Sequence, residues 1–122
     1  MSFVPPGTLE GLSRMPEMQL NTLDFGVVKV DDNGVVQFYN HYESNMSGFS
    51  PAECVGKNFF TDVAPCTNNR LFLGRFKNGV SGGSMNDQFR YTFTYKMKPT
   101  NVQVHLYRDP ATQSNYVLVK KA

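Results

Sequence analysis

Phe25-Gly-Val-Val-Lys-Val-Asp-Asp-Asn-Gly-Val-Val-Gln-Phe-Tyr39 is the stretch that decides the class of fold. Two runs rich in β-branched and aromatic residues, 25–30 and 35–39, flank Asp31-Asp-Asn-Gly34. Asn-Gly closing a short turn between such runs predicts a β-hairpin. Just past it, Asn40 can cap a helix, and Ser47 and Ser50-Pro51 offer two further helix starts before Cys54, so short helical turns are expected there. Gly56 to Cys66 keeps no sustained period and reads as a helical turn running into an ordered loop, with Pro65 fixing the backbone before Cys66. Leu71, Phe72, Phe76 and Val80 recur at helical spacing, which predicts an amphipathic helix from Leu71 to about Ser81, ended by Gly82-Gly83. Strict alternation then returns. Phe89, Tyr91, Phe93 and Tyr95 share one side of a strand and Arg90, Thr92, Thr94 and Lys96 the other. Val102, Val104 and Leu106 repeat the pattern, and Tyr116 to Val119 form a last strand after the turn at 109–114. On the other side of the hairpin, residues 1–22 mix Pro, Gly, Ser and Met with a weak helical pattern (Leu9, Leu12, Met15) and read as an N-terminal cap closing over an apolar surface. The order predicts an α+β domain, a cap over 1–22 and a core over 23–122, with helices packed over one face of an antiparallel sheet.

Composition agrees with a single core. A chain of 122 residues has the commonest one-domain length, and its 40% apolar content is ample for one core, which excludes a disordered chain. Aromatic residues reach 13% through ten Phe and six Tyr, so large rings are available to wall a pocket. A net charge of +2 with dispersed Lys and Arg provides no basic stripe, and nucleic acid is not an expected partner. No apolar run approaches the ~20 residues of a membrane span, and the first twenty residues lack a secretory pattern. Two cysteines are too few for a disulfide framework, so a reducing, cytoplasmic setting is expected.

Candidate chemistry is sparse. His41 follows the helix-capping Asn40 and is expected to be exposed; His105 has the parity opposite Val104 and Leu106 and reads as a solvated strand residue. Neither is placed for a catalytic dyad, and two Cys with two His at irregular spacing make no zinc site. Cys66 lies in the polar loop Ala64-Pro-Cys-Thr67, near the start of a following helix, where a thiol is either a small buried residue or one with a lowered pKa. Cys54 reads as a small buried residue. Tyr39 and Glu43, four residues apart across a strand-to-helix junction, can face one site, or Glu43 is a solvated carboxylate. For both to donate to an anionic ligand oxygen, Glu43 has to be neutral and buried.

Gly56-Lys-Asn-Phe-Phe-Thr-Asp-Val-Ala-Pro-Cys-Thr67 resembles the chromophore-attachment segment of the photoactive yellow protein family. The likeness runs from about Phe25 to the C-terminus through Phe25-Gly26, Gln37-Phe-Tyr-Asn40, Glu43, Ser47-Gly48, the block from Tyr91 to Thr100, and Val117-Leu-Val-Lys120. It implies a PAS fold, a central five-stranded antiparallel sheet flanked by short helices and the N-terminal cap. It also implies para-coumaric acid carried as a thioester on Cys66, its phenolate held by Tyr39 and Glu43 with Ser47 supporting the tyrosine. Phe59, Phe60, Val63, Phe93 and Met97 would wall the pocket, Ala64, Pro65 and Thr67 flank the attachment point, and Tyr91 and Tyr95 cover it. Departures from the family pattern are His41, Tyr42 and Ser44 around Glu43, and Phe49 where an arginine usually caps the pocket. The implied function is a monomeric blue-light receptor, not an enzyme, in which trans/cis isomerisation, proton transfer and partial unfolding make the signal for a downstream signalling protein. A PAS-type ligand-binding or dimerisation module without chromophore is the alternative; a thiol enzyme built on Cys66 lacks a positioned base.

Overall fold

A computed structural model describes residues 3–94 and 98–122. The predicted hairpin is β1 (Gly26–Val30) and β2 (Val36–Tyr39), antiparallel with Val28 opposite Tyr39. Its turn is organised by Asp31, whose Oδ1 accepts from the Asn33 and Val35 amides at 2.9 Å each, and by Gly34, whose φ of 90° lies in the left-handed region that glycine occupies without strain. Three further strands, β3 (Met85–Phe93), β4 (Thr100–Asp109) and β5 (Ser114–Lys121), complete a five-stranded sheet in the order β2-β1-β5-β4-β3. The last strand extends two residues beyond the expected Tyr116 to Val119 at each end, because it pairs with β4 from Asp109–Ser114 to Val102–Lys121. Buried Arg108 ties the hairpin turn to this pair: its Nη1 donates to Asp32 Oδ1 and to Asn115 Oδ1, both at 2.7 Å. That hydrogen bond is the main reason the Asp32 carboxyl is held below its ordinary range.

Helices cover both faces of the sheet, where helices over one face were expected. On one face lie α3 (His41–Ser47), α4 (Pro51–Cys54), a π-helical turn (Phe59–Val63), a 3-10 turn (Pro65–Thr67) and α5 (Leu73–Gly82). Their buried side chains pack on Val28, Val30, Val102, Val104, Val117 and Val119. On the opposite face Val4, α1 (Pro6–Gly11), a 3-10 turn (Leu12–Arg14) and α2 (Glu17–Leu20) cover the sheet, with Val4, Leu9, Leu12 and Leu20 packed in one cluster with Phe25, Val27, Tyr116 and Leu118. Such burial, about 1.5 to 3 kcal/mol per large apolar side chain, holds the short cap helices, which are too short to persist alone.

Two expectations are corrected, the first by this two-sided cover and the second by a local side-chain bond. His105 does have the parity opposite Val104 and Leu106, but the face it points to is capped. It is 1% exposed, hydrogen-bonded to Asn86 Oδ1, with Phe3 edge-on to its ring. The amphipathic helix begins at Leu73, not Leu71: the Phe72 amide is taken by the Asn69 side chain, Phe72 is fully buried and Leu71 is turned to solvent. Its end is as read, with Gly83 in the left-handed conformation at φ 76°.

Candidate functional site

The site is built on Asn40, where strand becomes helix. Its Oδ1 accepts from the amides of Val27 (2.9 Å) and Glu43 (3.1 Å), and its Nδ2 donates to the carbonyls of Leu20 and Phe25, 3.0 Å each. One fully buried carboxamide thus caps α3, docks it on β1 and ties both to the end of the N-terminal cap. Tyr39 at the end of β2 and Glu43 in the first turn of α3 consequently face inward, 1% and 2% exposed. The Tyr39 hydroxyl is 2.7 Å from Ser47 Oγ at the last turn of the same helix, and either oxygen can donate.

Glu43 is not the solvated carboxylate that composition allows. Its Oε1 is buried and has no hydrogen-bond partner among the described residues, a cost of roughly 1 to 3 kcal/mol for a polar atom. Burial pushes its pKa up to about 8, so near neutral pH the carboxyl is mostly protonated and can donate. Gly26 makes this placement possible: a Cβ there would lie 2.1 Å from Glu43 Oε1. Burial, and next the charge of Glu43, also hold the Tyr39 phenol well above its ordinary range, leaving it a donor. Cys54 is buried beside these groups, its thiol pushed up to about 11 chiefly by burial, with the Tyr39 hydroxyl as a hydrogen-bond partner pulling the other way.

Cys66 is half-buried in the 3-10 turn. Thr67, fully buried, donates Oγ1–H to the Ala64 carbonyl at 2.7 Å and shapes that turn. Tyr91 of β3 donates its hydroxyl to the Cys66 carbonyl, and Asn69 Nδ2 donates both to the same carbonyl (3.2 Å) and to the Tyr91 hydroxyl oxygen (2.6 Å).

Eight of the residues singled out in the sequence, Tyr39, Glu43, Ser47, Phe59, Val63, Ala64, Cys66 and Phe93, line one small cavity. Phe49 completes it, so the position expected to carry an arginine offers an aromatic wall, and none of the lining residues is a cation. Pro65 and Thr67 flank Cys66 in its turn without lining the cavity, and Tyr91 reaches the Cys66 backbone. Phe60 does not wall the site but packs into the core, 4.9 Å from Phe76 between ring centroids. Tyr95 and Met97 lie outside the described residues. A wider groove beside Phe3, Phe89 and Val104 is open and polar; the cavity at Glu43 is distinguished by a buried carboxyl with an oxygen unpaired among the described residues. These residues fit a ligand with an oxygen that takes hydrogen bonds from Tyr39 and Glu43 and an acyl carbon that Cys66 can hold. Sequence reading left Gly26, Cys54 and Asn69 without roles. Gly26 was signalled by its place in the matched Phe25-Gly26 pair; Asn69 carried no signal, since its partner Tyr91 is 22 positions away.

A model of the PAS fold matches residues 14–119. The photoactive yellow protein of Halochromatium salexigens is 44% identical over 110 residues, 90% of this chain and 88% of that one. That of Rhodothalassium salexigens is 41% identical over the same shares. Among solved structures, the photoactive yellow protein domain from the sensor histidine kinase Ppr of Rhodospirillum centenum superposes with a TM-score of 0.86 at 36% identity, covering 91% of this chain and 97% of that one.

Proposed function

The chain belongs to the photoactive yellow protein family of the PAS fold, a family of photosensors, and from that premise we propose that it is a blue-light receptor carrying para-coumaric acid as a thioester on Cys66. One observation carries the reading: a single cavity is lined both by Glu43, whose buried carboxyl has an oxygen unpaired among the described residues, and by Cys66. In loading, Cys66 Sγ displaces the leaving group from an activated acyl carbon, and its proton departs with that group. The bound chromophore supplies light absorption and trans/cis isomerisation of its double bond.

The remaining chemistry belongs to the chain. Tyr39 and protonated Glu43 donate to the phenolate oxygen, Ser47 orients the Tyr39 hydroxyl, and Phe49, Phe59, Val63 and Phe93 exclude water. In the signalling step Glu43 gives up its proton to the phenolate oxygen to which it donates. The carboxylate left behind has no cation among the residues lining the cavity, and a buried unpaired charge costs several kcal/mol. Opening the structure to water relieves it, and the cap, joined to α3 through Asn40, is the part proposed to detach. The resulting change of surface is the signal read by a downstream signalling protein.

Purified protein treated with activated para-coumaric acid should gain the mass of one coumaroyl group, turn yellow, and give a reversible light-minus-dark spectrum. A chain that gains no adduct is instead a PAS-type binding or dimerisation module.

A further inference from the structure

The carbonyl oxygen of Cys66 has both of its lone pairs engaged, by the Tyr91 hydroxyl and by Asn69 Nδ2. Asn69 is engaged at both ends of its carboxamide. Its Nδ2 also donates to the Tyr91 oxygen at 2.6 Å, while its Oδ1 accepts from the Phe72 amide at 2.9 Å. Three pieces of chain meet there: the turn bearing the thiol, strand β3, and the turn entering α5. We infer that Asn69 is a positioning residue for Cys66, holding the main chain of the attachment residue fixed directly and through Tyr91. The inference deepens the photoreceptor reading and rests on it.

A fixed carbonyl cannot turn to absorb a change in shape of a group borne on the neighbouring Sγ. The misfit after isomerisation is then concentrated in the ligand and the cavity, where it favours return to the starting geometry. Releasing the carbonyl lets the backbone relax around the product and slows that return.

Asn69→Asp separates this role from a structural one. The carboxylate still accepts from the Phe72 amide, so the turn before α5 is kept, but it donates to nothing and offers Tyr91 a competing acceptor. In the loaded protein, dark recovery should slow roughly fivefold for each hydrogen bond lost, the rate factor for about 1 kcal/mol, with the dark absorption maximum unmoved. Tyr91→Phe should act in the same direction. In the unloaded protein, labelled at the cysteine carbonyl carbons, the Cys66 resonance should move upfield in both variants. An unmoved resonance would show that the clamp is absent, and a moved resonance with wild-type recovery would show that it positions nothing; either overturns the inference. Failure of the wild-type protein to form an adduct defeats the photoreceptor reading instead, and the carbonyl resonance of the unloaded variants then decides the clamp by itself.

Discussion

Glu43 shows how one residue can be costly to the fold and useful to it. Its pKa of about 8 against an ordinary 4.5 has a definite sign in stability. Between those values the unfolded chain has released the proton and the folded chain has kept it, so stability falls as pH rises through the window and levels off above it. At about 1.4 kcal/mol per pH unit the loss reaches several kcal/mol. Glu43→Gln abolishes this contribution: unloaded wild type and variant, compared by urea midpoint from pH 4 to 9, should diverge with rising pH in favour of the variant. Parallel curves would mean that Glu43 ionises freely in the folded state. The two thiols make a similar contrast. Cys54 is 1% exposed and has its thiol raised to about 11, whereas Cys66 is partly open. Cys66→Ala should abolish covalent loading and Cys54→Ala should leave it intact, read by mass; a hydroxylamine-sensitive adduct surviving Cys66→Ala would move the attachment elsewhere. The spacing of Tyr39 and Glu43 was readable in the sequence, but the burial of Glu43 was not. It depends on the missing Cβ of Gly26, a contact across 17 residues that no local pattern encodes.

Among the elements, the strands and the helix-capping residues were legible because each rests on nearest-neighbour physics. Alternation from Phe89 to Phe93, the Asn33-Gly34 turn, Asn40 and Ser50 all act within a few residues of themselves, whereas the start of that strand at Met85, four residues before the expected Phe89, is set by pairing with β4. Ser50 and Glu53 form a complete capping box, with Pro51 at the first helical position. What parity could not say is what covers a face. His105 was assigned to the correct side of β4 and to the wrong environment, because the cap that buries it comes from a segment a hundred residues earlier. Asn40 belongs to both levels, a local cap with long-range bonds. Asn40→Ala strips the N-cap of α3 and leaves the Val27 amide and the Leu20 and Phe25 carbonyls without their partner. It should cost roughly 2 to 4 kcal/mol in thermal or chemical unfolding. A loss under about 1 kcal/mol would show that water replaces those bonds freely.

At the scale of the whole molecule, the sheet is a wall shared by two compartments. β5 sends Val117 and Val119 toward the cavity side and Tyr116 and Leu118 toward the cap. A second tie holds the cap from the far end of the sheet, Ser13 Oγ–H donating to Asp109 Oδ2 at 2.6 Å. Hydrogen exchange under continuous illumination should therefore show protection lost together in α1, α2 and the start of α3 of the loaded wild type, and much less of it in Glu43→Gln, where no buried charge is created. Equal losses in the two proteins would remove that charge as the cause. The Asn40 joint carries this one step further. With both its donors and both its acceptors engaged by three different elements, it cannot keep all four bonds while any of the pieces part, and each parting leaves a buried polar atom unmatched. Under the proposed photocycle each molecule would then be closed or released, and brighter light would raise the number of released molecules at any instant, not how far any one of them opens.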